Sequence, residues 1–144
     1  VLWPVHPRTV AKVQEAGLVF PACIEIAEPL GHTDFLAKLA SVKLVISDSG
    51  GVQEEAAILG TPCVTVRNNT ERPETIAEGV GLLAGTEKTS ILAALDHILT
   101  EWNAFARPSS HLYGDGRAGD KIAHACAEWL ASQVSSSALL RTAT

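Results

Sequence analysis

Short apolar runs alternate along the sequence with amphipathic stretches, and turn-forming residues separate the two kinds of segment. The runs predicted to be strands are residues 2–5, 22–27, 43–47, 63–67 and 80–83. The stretches predicted to be helices are 10–16, 33–41, 52–59, 87–100 and 117–133, with a short helix starting near Pro73. Nearly all-apolar strands that alternate with helices are typical of a parallel sheet covered on both faces. The sequence therefore predicts a doubly wound α/β domain whose ligands bind at the carboxyl ends of the strands.

The size and charge of the chain limit the functions open to it. Its 144 residues, 47% of them apolar, suffice for one domain. We expect that domain to cover residues 1–133 and the Ser/Ala/Thr-rich residues 134–144 to be disordered. The 16 acidic and 11 basic residues give a formal net charge of −5, which disfavours binding to nucleic acid or an anionic membrane. No apolar run approaches the ~20 residues that span a bilayer.

The three cysteines, Cys23, Cys63 and Cys126, are far apart and odd in number. This pattern excludes a disulfide scaffold and fits neither common zinc spacing, so no metal site is predicted. We interpret the cysteines as reduced thiols of a cytoplasmic protein.

The chain contains no methionine, and it opens on Val1 and Leu2, inside a predicted strand. We therefore expect it to be a piece of a longer protein whose amino-terminal domain holds part of the active site. Such a piece would expose apolar surface, so self-association as a homodimer is also expected. The apolar face of the last predicted helix is a candidate for that surface, with packing against its own domain as the alternative; its residues are Ile122, Cys126, Trp129 and Leu130.

The strongest local signal lies where the third predicted strand passes directly into a helix. Ser49, Gly50 and Gly51 precede a helix predicted to begin at Val52. Unpaired N–H groups and the positive end of the helix dipole suit a phosphate or diphosphate, and glycine lets the anion approach the main chain. Glu55, one turn further on, could accept hydrogen bonds from ribose hydroxyls. A tight turn with Ser49 as a simple N-cap is the alternative.

A second polar segment, residues 67–74, follows the next predicted strand and therefore belongs to the same edge of the sheet. Arg72 could pair with a phosphate held at the neighbouring loop. The alternative is a turn capped by Thr70, in which Arg72 pairs with Glu71 or Glu74. His6, at the end of the first strand, is a weaker candidate, and Thr9 is the expected N-cap of the helix after it.

Four linked motifs resemble the non-hydrolysing UDP-N-acetylglucosamine 2-epimerases, specifically the carboxyl-terminal half of such an enzyme. In the order of that family, they are residues 49–55, 59–62, 70–74 and 113–116, and the likeness runs from His6 to the last helix. The resemblance implies a Rossmann-like domain that forms one half of a glycosyltransferase-B-type fold. It also implies UDP-N-acetylglucosamine or a related UDP-sugar as the ligand, with no further cofactor.

The resemblance assigns roles to individual residues. It places the diphosphate at Ser49, Gly50 and Gly51, the ribose at Glu55, and Arg72 and His6 in or near the ligand cleft, with Phe35 beside the uracil. The family inverts the carbon that bears the acetamido group by eliminating UDP to a glycal and adding it back. The family's proton-transfer carboxylates belong to the amino-terminal half, so we expect no catalytic residue here. A glycosyltransferase half of the same architecture and a non-catalytic UDP-binding module remain alternatives.

Overall fold

The computed structural model describes residues 1–141. Over these residues the strands are β1 (Leu2–Pro4), β2 (Glu25–Ala27), β3 (Val45–Ser47), β4 (Cys63–Thr65) and β5 (Gly81–Leu83). The α-helices are α1 (Pro7–Glu15), α2 (His32–Ser41), α3 (Gly50–Leu59), α4 (Pro73–Ala77), α5 (Lys88–Thr100), α6 (Trp102–Phe105) and α7 (Ala118–Arg141), with a 3₁₀ helix at Ser110–Tyr113. All strand pairs are parallel, which confirms the predicted α/β fold.

The chain divides into two compact units, and the first comprises Val1–Val42. In it β1 pairs with β2, with Leu2 opposite Glu25, and α1 connects the two strands. The helix α1 starts at Pro7, not at Val10 as predicted, and its N-cap is His6 instead of Thr9. The His6 Nδ1 atom accepts a hydrogen bond from the Arg8 backbone N–H at 3.2 Å. Proline suits the first turn of a helix because its missing N–H has no intrahelical partner there, which explains the earlier start.

The second unit begins at Lys43 and contains a sheet of order β3–β4–β5. The residues of the central strand β4 are all buried. Because side chains alternate across a strand, this burial means that both faces of the sheet are covered at β4. Val64 packs in a core cluster with Ala84, Ile98 and Phe105. The helix α3 contacts β3 and β4, and α5 also contacts β4.

The helix α3 begins at Gly50, two residues earlier than predicted, so Gly50 and Gly51 belong to its first turn. Its end at Gly60 is as predicted. Gly60 has a φ of +78°, and a Cβ atom there would lie 2.8 Å from the Pro108 nitrogen. Both the left-handed conformation and this close approach require glycine, so the end of α3 is firmly specified.

The last part of the chain differs most from the prediction. The helix α6 was not predicted; it brings Phe105 into the core and packs Trp102 against it. Residues 134–144 are predicted to be disordered. Of these, 134–141 belong to helix α7, whereas 142–144 lie outside the described residues. Disorder at the end of the chain stays a prediction. Side chains 118–133 of α7 are exposed, including Ile122, Trp129 and Leu130. Over residues 118–133 the apolar face of α7 is therefore exposed and not buried against its own unit.

Candidate functional site

Ser49 connects β3 to α3 and caps the helix with its main chain. The Ser47 hydroxyl accepts a hydrogen bond from the Ser49 N–H at 3.1 Å, and the Ser49 carbonyl accepts the first intrahelical bond from the Gln53 N–H at 3.2 Å. The Ser49 hydroxyl makes no capping hydrogen bond, and Ser49 is exposed. This geometry differs from the simple N-cap considered as an alternative, because the side chain is not the capping group.

The backbone N–H groups of Gly50, Gly51 and Val52 form the amino terminus of α3. The first intrahelical bond is donated by Gln53, so helix geometry gives these three earlier N–H groups no carbonyl partner within the helix. The same end of the helix carries the positive pole of its dipole. Gly51 is exposed and Gly50 is half-buried. The start of α3 therefore presents several donors, and positive potential, to an anion.

The guanidinium group of Arg72 lies beside this helix start. A Cβ atom placed on Gly50 would be 3.9 Å from the Arg72 Cζ atom and 4.0 Å from Nη2. Arg72 reaches this position because the segment after β4 and the start of α3 lie at the same edge of the sheet. The two polar segments expected to share that edge do meet.

Glu54 holds the Arg72 side chain in place. The Arg72 Nε–H donates to a Glu54 carboxylate oxygen, and Nη1 donates to the Glu71 carbonyl oxygen at 2.9 Å. The hydrogen bond to Glu54 raises the pKa of Arg72 above its ordinary value, because this contact favours the charged guanidinium. In the alternative interpretation Arg72 pairs with Glu71 or Glu74, but the carboxylate that it contacts is that of Glu54. The Glu71 carboxylate lies 3.9 Å from Arg67 instead.

Sequence reasoning missed Glu54, although a signal for it exists. Gly50 and Glu54 are four positions apart in α3 and therefore lie on one face of the helix. A cation placed beside Gly50 is consequently within reach of the Glu54 carboxylate. The only glutamate of α3 that is predicted to belong to the site is Glu55, which is half-buried on the same helix.

Gln53 and Thr70 connect the start of α3 with the Arg72 main chain. The amide of Gln53, a residue only 1% exposed, donates to the Ser49 carbonyl at 3.3 Å. The Thr70 hydroxyl donates to the Gln53 Oε1 atom at 2.6 Å and accepts from the Arg72 N–H at 3.0 Å. The prediction that Thr70 caps α4 is wrong: the N-cap is Arg72, and no side chain makes a capping hydrogen bond there. The Thr70 hydroxyl instead connects the Arg72 N–H with Gln53 in α3.

Tyr113, from the fourth motif, lies beside Glu74 in the first turn of α4. Its hydroxyl donates to Glu74 Oε1 at 3.2 Å. Burial, the hydrogen bond to Glu74 and the negative charge of that carboxylate raise the pKa of Tyr113 to about 12. The third and fourth motifs are therefore joined by this hydrogen bond, which sequence reasoning did not predict.

A polar cleft of about 700 Å³ opens at the carboxyl ends of the strands in the second unit. Asp48, the residue before Ser49, lines one part of it. The rest is lined by the segment after β4 (Val66, Arg67, Asn68 and Asn69) and by Thr86, which follows β5. Its carboxylate, guanidinium, amide and hydroxyl groups offer both donors and acceptors to a polar ligand.

Other chemistries have less support from the described residues. Cys63 is buried in β4, and burial raises the pKa of its thiol to about 11, so it is not activated as a nucleophile. Cys23, Cys63 and Cys126 are free thiols. Among residues 1–141 there is no cluster of three or more His, Cys, Asp or Glu suited to a metal ion. The described helices also include none that is both apolar and long enough to cross a bilayer.

The structure brings Ser49, Gly50, Gly51 and Arg72 together in the second unit, with Glu55 on the same helix α3. His6 and Phe35 belong to the first unit. There His6 is exposed and caps α1, and Phe35 is half-buried in α2. The assignment of His6 and Phe35 to the ligand site stays a prediction.

A parallel α/β sheet with a helix amino terminus and an adjacent arginine at the strand ends is typical of the Rossmann-like class, in which helix starts of this kind often bind anions. Comparison with known proteins identifies the family. Residues 1–127 match the family described as UDP-N-acetylglucosamine 2-epimerase, so the chain belongs to that family. The resemblance seen in the four motifs is confirmed.

Individual relatives agree with this assignment. The UDP-N-acetylglucosamine 2-epimerase of Methanococcus maripaludis is 41% identical over 126 residues, which cover 85% of this chain and 33% of that enzyme. The Methanocaldococcus jannaschii UDP-GlcNAc 2-epimerase, solved in complex with UDP-GlcNAc and UDP, matches with a TM-score of 0.72 and 34% identity, over 88% of this chain and 35% of that one. The Neisseria meningitidis UDP-GlcNAc 2-epimerase bound to UDP-GlcNAc gives a TM-score of 0.77 at 29% identity, with the same coverage. The chain thus spans about a third of the length of these relatives.

Proposed function

We propose that the chain binds the diphosphate of a UDP-sugar at the amino terminus of α3, with Arg72 as the paired cation. The observation that carries this proposal is the position of the Arg72 guanidinium beside Gly50. One anion placed there would accept hydrogen bonds from the helix N–H groups and from Arg72 together. The Ser49 hydroxyl, which makes no capping hydrogen bond, adds a further donor.

The remaining parts of the ligand are assigned from the family resemblance and from the cleft. Glu55 is proposed to accept hydrogen bonds from the ribose hydroxyls, as the resemblance implies. The polar cleft that begins at Asp48 offers hydrogen-bonding groups suited to the hydroxyls of the sugar. The resemblance assigns Phe35 to the uracil and His6 to the ligand cleft.

The whole enzyme is proposed to invert C2 of UDP-N-acetylglucosamine or a related UDP-sugar. A base removes the C2 proton, and the bond between C1 and the diphosphate oxygen breaks. UDP departs, and the sugar becomes a glycal with a double bond between C1 and C2. UDP then adds back to C1 while a proton is delivered to the opposite face of C2. Negative charge grows on the leaving diphosphate, and the α3 N–H groups and Arg72 would stabilise it. The reaction as proposed needs no cofactor or metal.

The proton-transfer groups are proposed to lie in a part of the enzyme that this chain does not contain. In the described site Glu54 is committed to Arg72, and Glu74 accepts from Tyr113. The chain is proposed to be the carboxyl-terminal part of the enzyme, with an amino-terminal domain as its partner. The exposed apolar face of α7 is a surface on which that domain, or a second copy of the chain, would dock.

Calorimetric titration of the chain with UDP, UMP and uridine tests the binding proposal. We expect affinity to decrease in that order because each step removes a phosphoryl group from the α3 site. Equal affinity for uridine and UDP would contradict the proposal. In a second assay, the chain is incubated with UDP-N-acetylglucosamine alone, and we expect no epimerised product. Turnover by the chain itself would show that it already contains the proton-transfer groups.

A further inference from the structure

A buried glutamine connects the two components of the proposed diphosphate site. Gln53 is 1% exposed, and both ends of its amide are used. Nε2 donates to the carbonyl of Ser49, the N-cap of α3, and Oε1 accepts from the Thr70 hydroxyl. A buried amide whose two ends are both bonded has a fixed orientation, since rotation would leave polar groups without partners.

Thr70 continues this connection to the arginine. Its oxygen donates to Gln53 at 2.6 Å and accepts from the Arg72 N–H at 3.0 Å. The Arg72 main chain is also fixed from the other side, where the Thr75 hydroxyl donates to the Arg72 carbonyl oxygen at 2.8 Å. The path from the helix N-cap to the arginine thus runs through hydrogen bonds alone.

We propose that Gln53 and Thr70 are positioning residues that fix the Arg72 main chain to the amino terminus of α3, so that the helix and the guanidinium meet the same diphosphate. This inference rests on the proposed function. Neither residue is placed in contact with the ligand, and both act through Arg72. Displacement of about 1 Å in a preorganised site is enough to weaken its interactions, which is why such support matters.

The distribution of contacts supports this role over simple core packing. Arg72 comes from the segment after β4, whereas the N–H donors come from the start of α3, so their relative position depends on the contacts between the two segments. Glu54 orients the guanidinium, and the Gln53–Thr70 pair fixes the main chain from which that side chain extends. A purely apolar contact between the segments would not specify the position of the Arg72 N–H.

The test is a set of variants of the full chain, each titrated with UDP and with uridine. Thr70→Val removes both hydrogen bonds but keeps the shape of the side chain, and Thr70→Ser keeps the hydroxyl. Thr70→Ala serves the same purpose if Thr70→Val does not fold. Thr65→Val is the control: like Thr70→Val it removes a threonine hydroxyl in the second unit, but that of Thr65 is buried and contacts Cys63 Sγ at 3.9 Å. Arg72→Ala and the double variant that carries both Arg72→Ala and Thr70→Val complete a double-mutant cycle.

We expect Thr70→Val to weaken UDP binding roughly threefold to tenfold, with uridine affinity unchanged and Thr70→Ser close to the unmodified chain. In the Arg72→Ala background, Thr70→Val should have no further effect on UDP, because the residue acts through Arg72. Equal weakening of UDP binding in both backgrounds, or equal loss for UDP and uridine, would overturn the inference while leaving the proposed function intact. Absence of UDP binding by the unmodified chain would overturn both.

Discussion

The guanidinium of Arg72 lies beside Gly50, with its Cζ atom 3.9 Å from the position that a Cβ atom would take there, although Arg72 comes from the segment after β4 and Gly50 from the first turn of α3. The arginine is held there by Glu54, four residues after Gly50 in α3. The positive charge and the helix amino terminus are therefore held together by contacts within the chain itself. Such preorganisation lowers the cost of ordering the site on binding.

Replacing Arg72 tests the cation directly. We expect Arg72→Ala to weaken UDP binding by about tenfold to a hundredfold, since a hydrogen bond between charged groups is worth roughly 1.5–3 kcal/mol. Arg72→Lys should recover only part of this loss because lysine lacks the planar fork of donors. Calorimetry measures both effects. Arg117→Ala, which removes an exposed arginine paired with Asp120, is the control and should leave UDP affinity unchanged.

Adding a methyl group at Gly50 should separate binding from stability. A Cβ atom there makes only ordinary contact with Arg72, and Gly50 is helical, so alanine fits. We expect Gly50→Ala to leave the free energy of unfolding unchanged or to raise it by up to about 1 kcal/mol. UDP binding should nevertheless weaken, because the methyl group covers the approach to the N–H donors.

The matched control for Gly50→Ala is Gly119→Ala in the first turn of α7, where an added Cβ atom meets nothing within 4 Å. It offers a similar gain in helix propensity without touching the site. Tighter UDP binding by Gly50→Ala would show that the anion does not approach the main chain at this position.

The single tyrosine offers a pH-dependent test of the contact between the third and fourth motifs. The pKa of Tyr113 is raised from 10.0 to about 12, so the folded chain holds this proton more tightly than the unfolded chain. The resulting stabilisation is complete below about pH 10 and is lost as pH rises through about 12. Phenolate absorbance after a rapid pH jump should show the raised pKa, and Glu74→Gln should lower it. Asp115→Asn is the control: it removes a carboxylate that pairs with Lys121, so it should leave the pKa of Tyr113 unchanged.

The apolar face of α7 makes a prediction about assembly. Leu130 is 58% exposed, beside Trp129. We expect the chain to self-associate through this face, and Leu130→Gln to weaken that association in sedimentation velocity experiments. Leu92→Gln is the control because Leu92, on α5, is similarly exposed at 54%. A chain that stays monomeric at all concentrations, or equal effects of both substitutions, would contradict this use of α7.

The alternation of strands and helices could be predicted from the sequence because nearly all-apolar strands and glycine stops are local signals. The stop at Gly60 is an example. The predicted starts of α1 and α3 are two or three residues too late, because proline and glycine favour loops but also occur in a first helical turn. The short helix α6 carries no cap signal, and it forms where Trp102 and Phe105 can pack at the core.

The members of the site, but not their partners, could also be predicted. Ser49, Gly50, Gly51 and Arg72 were expected at one edge of the sheet because the chain reaches that edge after consecutive strands. The pairing of Arg72 with Glu54 and of Thr70 with Gln53 joins residues that are distant in sequence. Single-sequence patterns do not specify such pairs, because each partner has local alternatives in the sequence, as the alternative pairing of Arg72 with Glu71 shows.

Amide NMR spectra of the chain, recorded while UDP is added, test the central claim most directly. We expect the signals of Gly50, Gly51 and Val52 to shift in proportion to the bound fraction, and uridine to move them much less. Shifts elsewhere in the chain, with these three amides unchanged at saturating UDP, would contradict a diphosphate site at the start of α3.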